Sequence, residues 1–238
     1  MKIKRLLTVF LFLLLIPALA LLGAVVFSEK YYAFVSVLVA VFSCIPLFYA
    51  FEHKKSSSKE LMVLAGMIAL SVTGRFVFAW IPGFKPITAI TIITAVFLGR
   101  EAGFVVGSLS AVISNFYFGQ GPWTPFQMFA WGVLGFIAGV ICNPLKRSKI
   151  LLSVYGIFAG VAYSLVLDVW TTLWADNTLN FARYIASVVT ALPIPAEYAV
   201  SNVIFLWLLS KPIGEKLERI KKKYGLFKVQ NKDLSLLK

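Results

Sequence analysis

Residues 115–131 read NFYFGQGPWTPFQMFAW and lie between two long apolar runs. Seven of these seventeen residues are aromatic, and Asn115, Gln120 and Gln127 add three side-chain amides. Gly119, Gly121, Pro122 and Pro125 forbid a continuous helix, because glycine weakens a helix and proline removes a backbone donor and clashes with the turn before it. The chain therefore leaves one apolar helix, turns, and enters the next. Aromatic rings suit a membrane–water boundary, where an apolar body and a polar edge are both satisfied. Two readings fit the stretch. One is an ordinary turn with an aromatic belt. The other is the rim of a pocket for a large, partly aromatic ligand, since pockets combine apolar walls with a few placed polar groups.

The 238 residues are 60% hydrophobic and only 14% charged. A soluble domain carries about 25% charged residues. The apolar runs are near the length of a membrane helix and do not alternate, which favours helices over a barrel. The expected fold is an all-α integral membrane protein with about eight transmembrane helices: a six-helix bundle preceded by an N-terminal two-helix hairpin. The formal charge of +13 invites a nucleic-acid partner. Topology explains it instead. Nineteen of the 23 lysines and arginines fall on one side of the expected spans. Lys30, Lys85 and Arg183 fall on the other, and Arg75 lies within a span. The positive-inside bias then puts both termini in the cytoplasm of a multi-pass cell-membrane protein. Cys44 and Cys142 read as buried thiols, neither a disulfide nor a metal site.

The first apolar run covers residues 6–27. A signal peptide competes with a retained helix, but the run exceeds the roughly 7–15 residues of a signal core. A second run, residues 32–51, completes the hairpin, and a basic linker at 52–60 closes the N-terminal unit, residues 1–59. The body spans residues 60–212. Its spans are expected at 60–80, 87–98, 102–118, 125–143, 150–174 and 194–211. The second is short for a straight crossing and should be buried among its neighbours. Gly103, Gly107 and Ala111 recur at four residues, a smooth face for close packing. Pro144 should end the fourth body helix. Residues 177–192 should form a short helix along the outer surface. Residues 213–238 form a basic amphipathic tail suited to anionic headgroups.

His53 is the only histidine and sits in the linker, so no serine–histidine or cysteine–histidine pair and no multi-histidine metal cluster is available. No phosphate-binding loop of the G-x-x-x-x-G-K-[ST] type occurs, so ATP-driven work would need a partner. Arg75, Asp168 and Glu197 are ionisable groups in the outer third of the expected spans. Charges at that depth are costly and are paired or functional. One reading is a structural Arg75–Asp168 pair, with Glu197 stabilised by a helix N-terminus. The other is a polar floor of Arg75, Asn115, Gln127, Asp168 and Glu197 below a rim of Trp80, Trp123 and Trp174. The two are compatible. Trp170 falls at the same boundary.

Four pieces in the body resemble a known pattern. They are the Ala65-x-x-x-Ala69 helix ending in Ile81-Pro82-Gly83, and the short helix followed by Leu98-Gly99-Arg100-Glu101-Ala102-Gly103. The third is Gly119-Gln120-Gly121-Pro122-Trp123-Thr124-Pro125 with Gln127-Met128-Phe129-Ala130-Trp131-Gly132 behind it. The fourth is Leu192-Pro193 with Ser201-Asn202 and Lys211-Pro212. In this order they resemble a substrate-specific (S) subunit of an energy-coupling factor (ECF) vitamin transporter. The extra hairpin departs from that pattern. The resemblance implies a substrate-binding membrane subunit, not an enzyme, without a cofactor. It implies a transmembrane coupling (T) subunit and two ATPases as partners. Ala65 and Ala69 would dock on the coupling subunit. The loops around residues 80–86, 119–125 and 175–183 would close the ligand site. The third piece is similar to the cobalamin-type branch, so a corrinoid is the expected ligand. Riboflavin or a queuosine precursor is the alternative. A structural or assembly protein of the membrane is the competing class.

Overall fold

The computed structural model describes residues 57–176 and 180–227, together with residues 41, 42, 44, 45 and 48. The described residues form eight helices and no strand. They are α1 (Ser58–Val77), α2 (Ile87–Leu98), α3 (Arg100–Phe118), α4 (Thr124–Val140), α5 (Cys142–Arg147), α6 (Lys149–Asp176), α7 (Phe181–Thr190) and α8 (Pro193–Tyr224). The six spans expected of the body correspond to α1, α2, α3, α4, α6 and α8. The hairpin at 6–51 lies outside the described residues except at those five positions, and so does the tail beyond 227.

Local chemistry sets the helix ends. Ser57 caps α1: its hydroxyl accepts from the Glu60 amide, and the Glu60 carboxylate accepts from the Ser57 amide, both at 3.3 Å. Gly99 separates α2 from α3 with φ 110°, a conformation that side chains disfavour. Every residue of α2 except Phe97 is buried. The Thr91 and Thr94 hydroxyls each donate to the carbonyl four residues back at 2.8 Å, so no polar group is stranded in that core. α2 packs against α3, α4 and α8, as its short, apolar sequence implied.

α3 and α4 meet along their glycines. A Cβ on Gly107 would lie 2.5 Å from the Trp131 carbonyl oxygen, and one on Gly135 would lie 2.5 Å from that of Gly103. α6 and α8 approach in the same way: a Cβ on Gly160 would lie 2.7 Å from the Ala199 nitrogen. The Asn202 amide donates to the Gly156 carbonyl at 2.9 Å across that contact. By length and apolarity, α1 and α6 suffice to cross a membrane, and α7 with α8, bent by 57°, makes a third such element.

Two expectations change. Pro144 does not end a helix; α4 stops at Val140, and Pro144 sits in the first turn of α5, where its missing N–H costs nothing. The last span does not stop near Lys211. α8 continues through Pro212 to Tyr224, so residues 213–224 of the expected tail belong to the bundle. Tertiary contacts outweigh the lost hydrogen bond at Pro212. Gly214 lies against the Phe97 ring, Leu217 is buried, and the Lys146 ammonium pairs with Glu218. Past the left-handed Gly225 cap, Leu226 and Phe227 are buried, and the Phe227 amide donates to Glu60. The short helix expected at 177–192 is α7, capped by Asn180, whose side chain accepts from the Arg183 amide at 3.1 Å.

Candidate functional site

The bundle has a basic end, where α1 begins and α8 finishes, and an aromatic end holding Trp80, Trp123, Trp170 and Trp174. Arg75 lies in the last turn of α1 at the aromatic end and is buried. Gly74 beside it lets Pro86 fold onto the helix, since a Cβ there would lie 2.4 Å from the proline ring. The Arg75 guanidinium donates to the Ser114 hydroxyl and, at 2.9 Å, to Oδ1 of Asn115. It lies 4.5 Å from the centroid of Phe118 and 5.2 Å from that of Trp131. Such contacts with ring faces are favourable for a cation.

Asn115 is the hub. It is fully buried, accepts from Arg75, and donates to Oε1 of Gln127 at 2.8 Å and to the Thr124 hydroxyl at 2.9 Å. Thr124 donates in turn to Gln120 at 3.0 Å, and Gln120 donates to the Val112 carbonyl at 2.9 Å. The amides of the 115–131 stretch thus lace its own turn closed. Gly119, with φ 102°, supplies the backbone conformation this turn requires.

Trp131 forms the wall below. Its ring stacks on Tyr163 at 4.5 Å and 14°, and its N–H donates to the Thr88 hydroxyl at 3.0 Å. Tyr163 meets Tyr198 edge-on at 5.1 Å. α1, α2, α3, α4, α6 and α8 each contribute a side chain to one continuous cluster. Lys85 joins it from the α1–α2 loop, with Nζ 5.7 Å from the Phe118 centroid. Its backbone is clamped to α8: the Lys85 amide donates to the Ser201 hydroxyl at 2.9 Å, which donates to the Lys85 carbonyl at 3.2 Å. Burial and the nearby Arg75 charge hold the Lys85 ammonium below its ordinary pKa. Among the described residues, no carboxylate lies within ion-pair distance of Arg75 or Lys85. Nε of Arg75 is buried without a hydrogen-bond partner.

The structure brings Arg75, Asn115 and Gln127 together and separates the other predicted site residues from them. Asp168 is half-buried on α6 and makes no pair with Arg75. Tyr163, five residues earlier, faces the cluster, and five residues turn a helix by about 140°. Glu197 is exposed and lies against the α1–α2 loop, where a Cβ on Gly83 would lie 2.5 Å from its carboxylate. Its neighbour Tyr198 takes the inward position. Trp123 covers Gly121 at the rim. Trp80 is 79% exposed, with its N–H donating to the Val77 carbonyl at 3.1 Å. Trp174 is 60% exposed and joins Trp170 and Phe126 in a separate aromatic group.

Sequence reasoning missed Lys85, Ser114, Phe118, Trp131, Tyr163 and Tyr198 as members of the cluster. A signal existed for two. Trp131 follows Gln127 by four residues, and Ser114 adjoins Asn115. The tyrosines carried none, because both sit in apolar helices. In the middle of α1, Ala65, Gly66 and Ala69 are exposed, and a Cβ on Gly66 would meet nothing within 4 Å.

An all-α bundle of apolar helices, two or three of them long and apolar enough to cross a membrane, is the architecture of an integral membrane protein. Residues 55–219 match the family model described as ECF-type riboflavin transporter, S component, and the chain belongs to that family. It is therefore a vitamin-transporter subunit of the membrane and not an enzyme, and the family implies association with T and ATPase modules. The match overturns the expected cobalamin-type branch, because the matching model is of the riboflavin type. The amides and tryptophans used for that expectation serve any flat, amide-bearing ligand and do not discriminate. No curated protein and no solved structure gives a significant match.

Proposed function

We propose that this chain is the binding subunit for riboflavin or a close flavin analogue, held at the aromatic end by residues of the 60–212 body. The observation that carries the reading is the stacked Trp131–Tyr163 pair beside the Arg75–Asn115–Gln127 network. An isoalloxazine is a flat ring system with an electron-rich edge that alternates carbonyl acceptors and an N–H donor. Aromatic walls supply stacking, carboxamides supply both donor and acceptor, and Arg75 and Lys85 suit the carbonyl side of that edge. Trp123, Trp80 and Trp174 line the approach, and Asp168 and Glu197 flank it. The cluster is buried, so access requires the loops at 78–86 and 119–123 to swing away. In this reading the aromatic end faces outward and both termini are cytoplasmic. Ala65 and Ala69 dock on the transmembrane coupling subunit, and two ATPases drive release.

Titration of the purified full chain, without ATPases, tests the ligand. Riboflavin should bind saturably and quench tryptophan fluorescence, while a corrinoid should not. Trp131→Ala should weaken binding by roughly 30-fold or more, as removal of a buried aromatic anchor costs about 2 kcal/mol. A Trp207→Ala control at the exposed side of α8 should bind normally. A folded chain that ignores riboflavin and flavin analogues would end this assignment.

A further inference from the structure

A cleft of about 370 Å³ opens at the basic end of the bundle, lined by residues of α2, α5, α6 and α8. That volume falls within the roughly 300–1,000 Å³ of small-ligand sites. Its floor is apolar, with Ile93, Phe97 and Leu152. Its rim is basic, with Arg147, Lys149 and Lys211, all exposed. Lys146 lines it too, but that ammonium is engaged by Glu218 and lies 4.6 Å from the centroid of the Phe97 ring. With Glu218 so occupied, only Glu215 remains against the three rim cations. Among the described residues, none of the three makes an ion pair.

We infer that this cleft holds the phosphate headgroup of an anionic phospholipid, with the first methylenes of its chains over the partly exposed Phe97 ring. Two features together select that chemistry. Unpaired cations around a recess demand an anion, and an apolar floor beneath them gains from alkyl cover that inorganic phosphate cannot supply. The position fits as well: basic side chains that sit between membrane helices at the cytoplasmic boundary meet acidic headgroups. The exposed Ala65–Ala69 ridge of α1 does not line the cleft.

Native mass spectrometry of the detergent-purified full chain tests the inference. The chain is titrated with phosphatidylglycerol, phosphatidylcholine and inorganic phosphate. One phosphatidylglycerol should be retained in preference to phosphatidylcholine. The combined substitution Arg147→Gln, Lys149→Gln, Lys211→Gln should weaken that binding by roughly 100-fold, on the scale of three basic side chains near an acidic surface. The control substitution Lys59→Gln, Lys222→Gln, Lys223→Gln removes the same charge elsewhere at this end and should change it little. On the unmodified chain, retention should fall as salt rises, because screening weakens exposed charges. Equal loss in both triple variants would reduce the effect to bulk charge and overturn the site. Inorganic phosphate binding as tightly as the lipid would overturn the lipid as its source. Unchanged lipid binding in the rim variant, with loss of ATPase or coupling-subunit co-purification, would make the cleft a protein-docking surface instead.

Discussion

Asn115 carries more of the aromatic end than its single side chain suggests. One carboxamide accepts from Arg75 on α1 and donates to two side chains of α4. Asn115→Ala leaves these groups without a shared partner in a buried setting, where an unsatisfied polar group costs about 1–3 kcal/mol. The variant should melt at lower temperature and bind flavin roughly 30-fold more weakly. Unchanged melting would show that the hub is not structural. Lys85 makes a different prediction. Its folded-state pKa lies below the ordinary 10.5 through burial and Arg75. Between the folded value and the ordinary one, the unfolded chain binds more protons, so stability rises with pH across that window. Below the folded value, the cost of the buried charge is present in full. Lys85→Met should therefore stabilise the chain at neutral pH, flatten the rise in melting temperature toward pH 10.5, and weaken flavin binding. A parallel pH profile in the two proteins would contradict this account.

At the scale of elements, the glycines decide how closely the helices approach. Gly107→Ala places a methyl group against the Trp131 backbone, which cannot move aside as a side chain can. Overpacking of that kind typically costs about 1–3 kcal/mol. Gly66→Ala, on the open face of α1, meets nothing and gains helix propensity of up to about 1 kcal/mol. Thermal unfolding of the isolated chain should separate the two variants in opposite directions. A Gly107→Ala variant as stable as the parent would mean that the α3–α4 seam has room for a methyl group. The Lys146–Glu218 pair ties α5 to the extended end of α8. The Lys146 ammonium holds the Glu218 carboxyl below its usual range. Its support is thus complete above the ordinary carboxylate pKa and is lost as pH falls through the lowered one. Being exposed, the pair contributes at most about 1 kcal/mol.

In the proposed reading the molecule separates two tasks along one axis, with ligand binding at the aromatic end and partner docking on the small-residue face in the middle of α1. Ala69→Trp adds an indole to an exposed face, so the isolated chain should fold and bind flavin as before. Uptake in cells should collapse, because a bulky side chain there prevents close helix approach by a partner. Normal uptake with intact complexes would remove Ala65 and Ala69 as the docking face. Single cysteines at Ser57 and Trp123, in a background lacking Cys44 and Cys142, test orientation. Only the second should react with an impermeant reagent applied to intact cells.

Helix positions were largely legible in the chain because they depend on local properties. The length of an apolar run, a proline or glycine beside it and the charge at its ends act over a few residues. α2 therefore occupies Ile87–Leu98 as expected, and the 119–123 turn falls where its glycines and proline place it. Facing was not legible. A helix surrounded by other apolar helices, or by lipid, is apolar all round, so periodicity does not say which side points inward. Asp168 and Tyr163 share α6, and only packing against α4 and α8 turned the tyrosine toward Arg75 and left the carboxylate outside the cluster. Trp131 drew no role of its own from the sequence; the close approach of α3 and α4 at their glycines sets it beside the Arg75 guanidinium. Pro212 marked an end by local rules, yet α8 runs through it because the helix beyond is held by Phe97, Lys146 and the buried Leu217. Those partners are more than a hundred residues away for Phe97 and some seventy for Lys146, so only the folded bundle brings them to bear.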